Sequence, residues 1–127
     1  EREALRAEAV KLLAGAPDCD PTRFVVTGGT AGNLPKVVSM ARPPSVLTRQ
    51  ALLRSSDKLD SAPAAELEPR YLLRPGRVAA MRGGVEVLLL MLDWAGLDRL
   101  QVSFEGLRHG MLLAYLERGD GWFEDPD

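Results

Sequence analysis

The stretch Phe24-Val25-Val26-Thr27-Gly28-Gly29-Thr30-Ala31-Gly32-Asn33-Leu34 decides how this chain is interpreted. Three β-favouring apolar residues run directly into a glycine-dense turn, and a helical pattern follows behind Pro35. Glycine lets the backbone take a positive φ and leaves no Cβ between the main chain and a ligand. A turn of this kind between a strand and a helix directs free N–H groups outward, which suits an anion or a polar ring edge. The alternative interpretation is a tight strand-to-helix turn that binds nothing.

The glycine turn matches neither of the two common phosphate-binding fingerprints. A phosphate loop of the G-x-x-x-x-G-K-[ST] type requires a lysine after its last glycine, but Asn33 follows Gly32 here. The dinucleotide fingerprint G-x-G-x-x-G requires a different glycine spacing. The function of the turn therefore has to be inferred together with the rest of the chain.

The composition excludes several classes of function. The 127 residues correspond to one domain or to part of one, and a hydrophobic content of 46% is enough to build a core. A net charge of −2 gives no basic field for nucleic acid or for an anionic membrane. The longest apolar run, residues 87–92, is far shorter than the about 20 residues that span a bilayer. The chain begins at Glu1 inside a helical pattern, so we expect a fragment of a longer protein.

Cysteine and histidine are too scarce for the sites that they usually build. Cys19 is the single cysteine and His109 the single histidine, so neither an internal disulfide nor a zinc site of nitrogen and sulfur ligands is possible. A lone cysteine favours a reducing compartment, and we expect a cytoplasmic protein.

The order of the hydrophobic patterns predicts an α/β fold with short parallel strands flanked by helices. Strands are predicted at residues 23–27 and 100–103, and the first is expected to be buried on both faces because its apolar run is continuous. Shorter helices are predicted at residues 1–13, 34–40, 45–53 and 111–116. Residues 55–69 are predicted as polar turns, residues 105–110 as a second glycine turn, and residues 118–127 as an acidic tail.

The strongest periodic segment predicts a helix at residues 77–94. Its apolar residues, with Met81, Met91 and Trp94 among them, cover most of the circumference and indicate a buried helix that ends at Gly96. Gly83 and Gly84 lie inside it, and each costs about 1 kcal/mol of helix propensity against alanine. We therefore expect a packing reason for them.

Four segments, in this order, resemble the exopolyphosphatase / guanosine pentaphosphate phosphohydrolase family. They are Val26-Thr27-Gly28-Gly29-Thr30, Pro69-Arg70, Arg77-Val78-Ala79-Ala80-Met81-Arg82-Gly83-Gly84 and Val102-Ser103-Phe104-Glu105-Gly106-Leu107-Arg108-His109-Gly110. The resemblance covers about residues 23–113. It implies the actin-like architecture, in which two ribonuclease-H-like lobes face each other across a cleft. Residues 1–127 would be the closing part of the second lobe, with its last two strands.

The resemblance also implies an activity and a different role for each of the two lobes. The family removes terminal phosphate from polyphosphate or from pppGpp, usually with magnesium. Its catalytic glutamate and main phosphate-binding loop belong to the first lobe, so no catalytic residue and no magnesium ligand is expected in this chain, which alone should be inactive. Gly28, Gly29 and Thr30 would meet the polyphosphate or guanosine penta- or tetraphosphate, and Arg108 would lie near the same cleft.

The chain departs from the family at two positions. His109 stands where the family commonly has glutamate, which removes an acidic residue that could orient Arg108. Pro35 lies early in the helix that follows the first glycine turn, and it is expected to sit in the first helical turn or to lengthen the loop.

For several candidate residues, both a functional and a structural role remain open. The guanidinium of Arg108 can hold phosphate oxygens bidentately, or it can be a structural group that pairs with a helix end or with Glu105. His109 can titrate near neutrality or be an ordinary surface residue. Asp18 and Asp20 could bind magnesium through water, but their proline-rich surroundings also favour turns.

Two classes of function stay open for the whole protein. The first is a phosphoanhydride hydrolase, to which this chain contributes one wall of the cleft. The second is a non-catalytic sensor or interaction domain of the same fold. In either case the absence of the first three strands of a five-stranded lobe would leave an apolar strand with a bare edge, so a homodimer is expected.

Overall fold

The computed structural model describes residues 1–124, which form six helices around a small sheet. In chain order the elements are α1 Arg2–Ala14, β1 Val25–Val26, α2 Gly29–Val38, β2 Val46–Thr48, α3 Arg49–Asp60, α4 Ala64–Arg70, α5 Arg77–Ala95, β3 Arg99–Val102 and α6 Leu107–Arg118. Of the predicted acidic tail, Gly119–Gly121 form one turn of 3-10 helix, and residues 125–127 lie outside the described part. The predicted α/β class is confirmed.

The sheet has one strand more than the sequence predicts. Its order is β1-β3-β2, with β1 parallel and β2 antiparallel to the central β3. Residues 46–48 form β2, although they were expected to begin a helix at residue 45. The helix begins four residues later, at Arg49, because Thr48 takes an extended conformation and its Oγ1 accepts a hydrogen bond from the Ala51 N–H at 3.1 Å.

Only one face of the sheet is covered within residues 1–124. Val26, Leu47 and Leu100 point into the core, whereas Val25 is 42% exposed and Val46 is 46% exposed. The expectation that the first strand is buried on both faces is therefore wrong. The continuous apolar run reflects a sheet whose second face has no cover in the described part of the chain.

Helix α5 is the centre of the fold, and its prediction is confirmed. It packs against α1, α2, α3 and α4, and its buried side chains include Val78, Met81, Val85, Leu89 and Leu92. It ends at Gly96, which adopts the left-handed conformation with φ of 65°. Trp94 does not belong to the core as expected, because its side chain is exposed at the last turn of the helix.

The segment predicted as polar turns, residues 55–69, is largely helical. Helix α3 continues to Asp60 because Leu52, Ser55 and Leu59 lie on one buried stripe. The Ser55 hydroxyl donates to the Ala51 carbonyl at 2.9 Å, so a polar side chain is satisfied inside the helix.

No helix within residues 1–124 is both long and apolar enough to cross a membrane.

Candidate functional site

The first glycine turn is shorter than the sequence suggests. Strand β1 ends at Val26, and α2 begins at Gly29 rather than at Leu34 as expected. Gly28 makes the turn with φ of 100°, a conformation that residues with a Cβ rarely adopt. Pro35 therefore lies inside the helix and not in its first turn, and it does not lengthen the loop.

Two features explain how this helix tolerates an early start. Asn33 lies inside the helix, where its Nδ2 donates to the Gly29 carbonyl at 2.7 Å. The side chain of Pro35 is buried, so its packing offsets the backbone hydrogen bond that proline cannot donate. The burial of Pro35 depends on the tertiary structure, which is why the sequence pattern placed the start of the helix too late.

The N-terminus of α2 presents unpaired backbone donors. Its first hydrogen bond runs from the Gly32 N–H to the Gly28 carbonyl at 2.8 Å, so the N–H groups of Gly29, Thr30 and Ala31 have no partner in the helix. No side chain caps this end. Such an N-terminus carries a partial positive charge that favours an anion.

The second glycine turn also leads into a helix. Gly106 precedes α6, and the N–H groups of His109 and Gly110 donate to its carbonyl at 3.0 and 3.2 Å. His109 Nδ1 accepts from the Gly106 N–H at 3.2 Å, so this histidine caps the helix. Residues 107–110 are therefore the first turn of α6 rather than a turn before it, and Arg108 is the second residue of the helix. The three-residue spacing of Gly106 and His109 was the signal that sequence reasoning missed.

The two glycine turns open onto one cavity of about 550 Å³. They meet because β1 and β3 are parallel neighbours, and the Ser103 N–H donates to the Val26 carbonyl at 2.8 Å. The cavity is lined by Thr27, Gly28, Gly29, Gly32, Ser103, Phe104, Gly106, Leu107, Arg108 and His109. None of these lining residues is acidic, although the chain contains 18 acidic residues. The cavity is therefore a locally positive surface on a chain of negative net charge.

Of the predicted binding residues, three line this cavity and one does not. Gly28, Gly29 and Arg108 are brought together, and Arg108 makes no side-chain hydrogen bond or ion pair with any of residues 1–124. Thr30 instead faces α5, where a Cβ built on Gly84 would lie 2.5 Å from its Cγ2. The pairing of Arg108 with Glu105 that the sequence left open is not formed among the described residues.

A further arginine lies beside the first glycine turn. The guanidinium of Arg77, at the start of α5, covers Gly29 so closely that a Cβ on this glycine would overlap it. Arg77 is half-buried and makes no side-chain hydrogen bond or ion pair within residues 1–124. Arg82 differs, because its side chain donates to the carbonyls of Leu59 and Ala62, both at 2.9 Å, and so has a structural role.

The residues of the cavity do not fit a magnesium site. Within residues 1–124, no group of three or more His, Cys, Asp or Glu side chains is placed to hold a metal ion. Asp18 and Asp20 do not line the cavity. Carboxylate oxygens are the protein ligands that magnesium prefers, and the cavity has none.

Three solved structures from Aquifex aeolicus are similar to this chain. The PPX-GPPA enzyme is 25% identical with a TM-score of 0.72, over 89% of this chain and 39% of its own. A Ppx/GppA family member is 24% identical with a TM-score of 0.75, over 94% of this chain and 40% of its own. The type II variant of the Ppx/GppA phosphatase is 23% identical with a TM-score of 0.69, over 89% and 39%.

The other comparisons found no relative: no protein-family model and no curated protein matches the chain. The chain spans about two fifths of the length of the solved structures that it resembles. The matched region is 89–94% of the chain. The resemblance to the exopolyphosphatase / guanosine pentaphosphate phosphohydrolase family is therefore confirmed, and the chain has the fold of part of a Ppx/GppA protein.

Proposed function

We propose that this chain forms one wall of the substrate cleft of a phosphoanhydride hydrolase that acts on inorganic polyphosphate or pppGpp. In this proposal residues 1–124 belong to the second of two ribonuclease-H-like lobes of the actin-like type. The first lobe, outside this chain, supplies the opposite wall. The observation that carries the proposal is the convergence of two helix N-termini on one cavity that no carboxylate lines.

The electrostatics of the cavity favour a polyanion. The N-termini of α2 and α6 each contribute a partial positive charge and free N–H groups. Arg108 adds a full charge and a planar fork that matches two phosphate oxygens. Arg77 lies behind Gly29 and adds a second positive charge at the same helix N-terminus. These groups support binding of successive phosphates more than binding of a neutral ligand.

The glycines allow close contact between this wall and its ligand. A Cβ on Gly28 would meet no atom of residues 1–124 within 4 Å, so the space above it is open, but its φ of 100° disfavours any other residue. Phosphate oxygens can therefore reach the N–H groups of Gly29 and Thr30 directly. This geometry binds and orients the substrate.

Chemistry requires groups that this wall does not supply. Hydrolysis of a phosphoanhydride needs a base that activates water, and none of the residues that line the cavity is a carboxylate. The base is assigned to the opposite wall, and the cavity offers magnesium no carboxylate ligand. The isolated chain should therefore bind polyanions weakly and release no phosphate from them.

Arg108 provides the test of this function in the protein that also contains the first lobe. Arg108→Ala should lower kcat/KM for phosphate release about 10- to 100-fold, which corresponds to the loss of a charged hydrogen bond of about 1.5–3 kcal/mol. The melting temperature should stay unchanged, because the Arg108 side chain is exposed and makes no hydrogen bond or ion pair within residues 1–124. Arg108→Lys should restore only part of the activity, because the planar fork is lost.

The matched control is Arg118→Ala, at the far end of the same helix. It should leave kcat/KM unchanged for both polyphosphate and pppGpp. Unchanged kinetics of Arg108→Ala together with a lower melting temperature would contradict the proposal. Binding of either polyanion by the unmodified protein without phosphate release would favour the sensor instead of the hydrolase.

A further inference from the structure

His109 holds the start of α6 through one nitrogen of its ring. Its Nδ1 accepts a hydrogen bond from the Gly106 N–H at 3.2 Å. A ring nitrogen that accepts a hydrogen bond carries no proton, so the proton of the neutral imidazole lies on Nε2. The helix cap therefore fixes the tautomer of this side chain.

The other ring nitrogen is available to a ligand in the cavity. His109 is exposed and lines the cavity, and its Nε2 makes no hydrogen bond within residues 1–124. The backbone N–H groups of Leu107 and Arg108 are also without a partner there, because the Gly106 carbonyl receives its hydrogen bonds from His109 and Gly110. The Nε2–H group is thus a third donor beside these two at the same helix N-terminus.

The residue type of a cap determines the charge that the cap brings into the cavity. Glutamate and glutamine are the usual side chains at this position of a capping box, three residues after the cap. A glutamate at position 109 would place a carboxylate in the cavity wall beside Arg108. His109 makes the cap without a negative charge, and none of the lining residues is acidic. Glu105 is close in sequence, but it is exposed and does not line the cavity.

We infer that His109 is a specificity-determining residue, which makes the cavity prefer phosphate chains of high charge to single phosphates. It does so because it caps α6 without a carboxylate and offers its Nε2–H to a phosphate oxygen. A carboxylate in its place would repel a ligand in proportion to the charge of that ligand. This inference rests on the polyanion site of the proposed function.

A matched pair of substitutions in the 127-residue chain tests the inference. His109→Gln and His109→Glu differ mainly in charge, and both side chains can cap α6, so both variants should keep the melting temperature within about 3 °C. His109→Gln should change the dissociation constant for inorganic tripolyphosphate by less than about 3-fold, whereas His109→Glu should raise it by about 10-fold or more. For inorganic phosphate, which carries less charge, His109→Glu should raise the dissociation constant by less than about 3-fold.

The control Gln50→Glu adds the same negative charge at an exposed position in the first turn of α3, outside the cavity lining. It should change either dissociation constant by less than about 2-fold, because salt screens distant exposed charges. Equal affinities of the His109→Gln and His109→Glu variants for tripolyphosphate would overturn the inference. An equal effect of Gln50→Glu would also overturn it, since net charge alone would then explain the loss.

The nitrogen signals of the imidazole give a readout that needs no substitution, because the chain has a single histidine. They should show the proton on Nε2, and the Nε2 signal should shift as tripolyphosphate is added. A proton on Nδ1, or ring signals that stay constant while the Gly28 and Gly29 amides shift, would overturn the inference and leave the proposed function intact. If the unsubstituted chain binds no tripolyphosphate, the proposed function fails and the inference fails with it.

Discussion

At the scale of single residues, Gly84 of α5 sets how closely the first glycine turn can approach the core. A Cβ on Gly84 would lie 2.5 Å from Thr30 Cγ2 and 2.7 Å from Thr30 Oγ1, which is far inside normal contact. A Cβ on the adjacent Gly83 would meet only the tip of the flexible Leu5 side chain, at 3.2 Å. The prediction that packing explains these glycines is thus confirmed, and Gly84 has less room for a Cβ than Gly83.

The two glycines give a matched pair of substitutions. Gly84→Ala should lower the free energy of unfolding by about 1–2 kcal/mol, because overpacking costs about 1–3 kcal/mol against a gain in helix propensity of up to about 1 kcal/mol. Gly83→Ala should change it by less than about 1 kcal/mol, since Leu5 can move aside. Urea unfolding of both variants measures the difference. Equal changes in the free energy of unfolding at the two positions would show that Thr30 does not pack closely against Gly84.

The sequence alone predicted the location of residues that directly follow a strand. Gly28 and Arg108 each follow a strand, and neighbouring parallel strands end at the same edge of a sheet, so both could be placed at one cavity. Arg77 and His109 could not be placed in this way. Arg77 reaches Gly29 from the start of a distant helix, and His109 acts through a local cap in which histidine replaces the usual glutamate or glutamine.

At the scale of elements, α1 is joined to the rest of the fold mainly by charge. It has no buried residue, but it packs along α5, where Glu86 is buried. Arg6 Nη1 donates to Glu86 Oε2 at 2.9 Å, and Arg2 Nη2 donates to Asp60 Oδ1 at 2.6 Å. A buried carboxylate is stable only when it is paired, so Glu86 and the two arginines hold the helix in place together.

This ion-pair cluster predicts a local effect of Glu86→Gln. The substitution should lower the free energy of unfolding by about 1 kcal/mol, a modest value because the arginine partners are partly exposed. The amides of α1 should exchange faster with solvent, while those of α5 keep their protection. Glu8→Gln, in a pair with Lys11 on the exposed side of α1, is the control and should have no effect. Unchanged exchange in α1 would mean that its apolar contacts hold it alone.

The elements that sequence reasoning missed are those that tertiary contacts determine. Residues 46–48 form a strand because they pair with β3, which lies about 50 residues later in the chain, and no local pattern distinguishes them from a helix start. Helix α3 extends through a serine-rich stretch because Ser55 bonds to the preceding turn. Helix α5 was predicted correctly because its periodic apolar pattern is long enough to determine its structure.

At the scale of the whole molecule, the surfaces left uncovered bear on self-association. Helix α5 is apolar around much of its circumference, but α1 to α4 pack against it, so its apolar sides are covered within the chain rather than by a second copy. Within residues 1–124, the unpaired outer edge of β1, the exposed face with Val25 and the exposed Leu112, Leu113 and Leu116 of α6 remain. Bare strand edges and exposed apolar faces favour association, so the isolated chain should still self-associate.

Light scattering over a dilution series measures this association. The apparent mass should exceed that of one chain, 13.8 kDa, and should fall on dilution. A stable monomer at micromolar concentration with a cooperative melt would show instead that the chain is a self-sufficient domain.

The central claim is that the two glycine turns form one polyanion site, and a titration of the isotope-labelled 127-residue chain with inorganic tripolyphosphate tests it most directly. The amide signals of Gly28, Gly29, Gly106 and Arg108 should shift together with one midpoint. A single wall should bind tripolyphosphate with a dissociation constant of about 1 mM, which corresponds to a binding free energy of about −4 kcal/mol. Arg108→Ala should raise the tripolyphosphate concentration at this midpoint, while the fold stays intact. Shifts confined to arginines and lysines elsewhere on the surface, or separate midpoints for the two turns, would contradict the account.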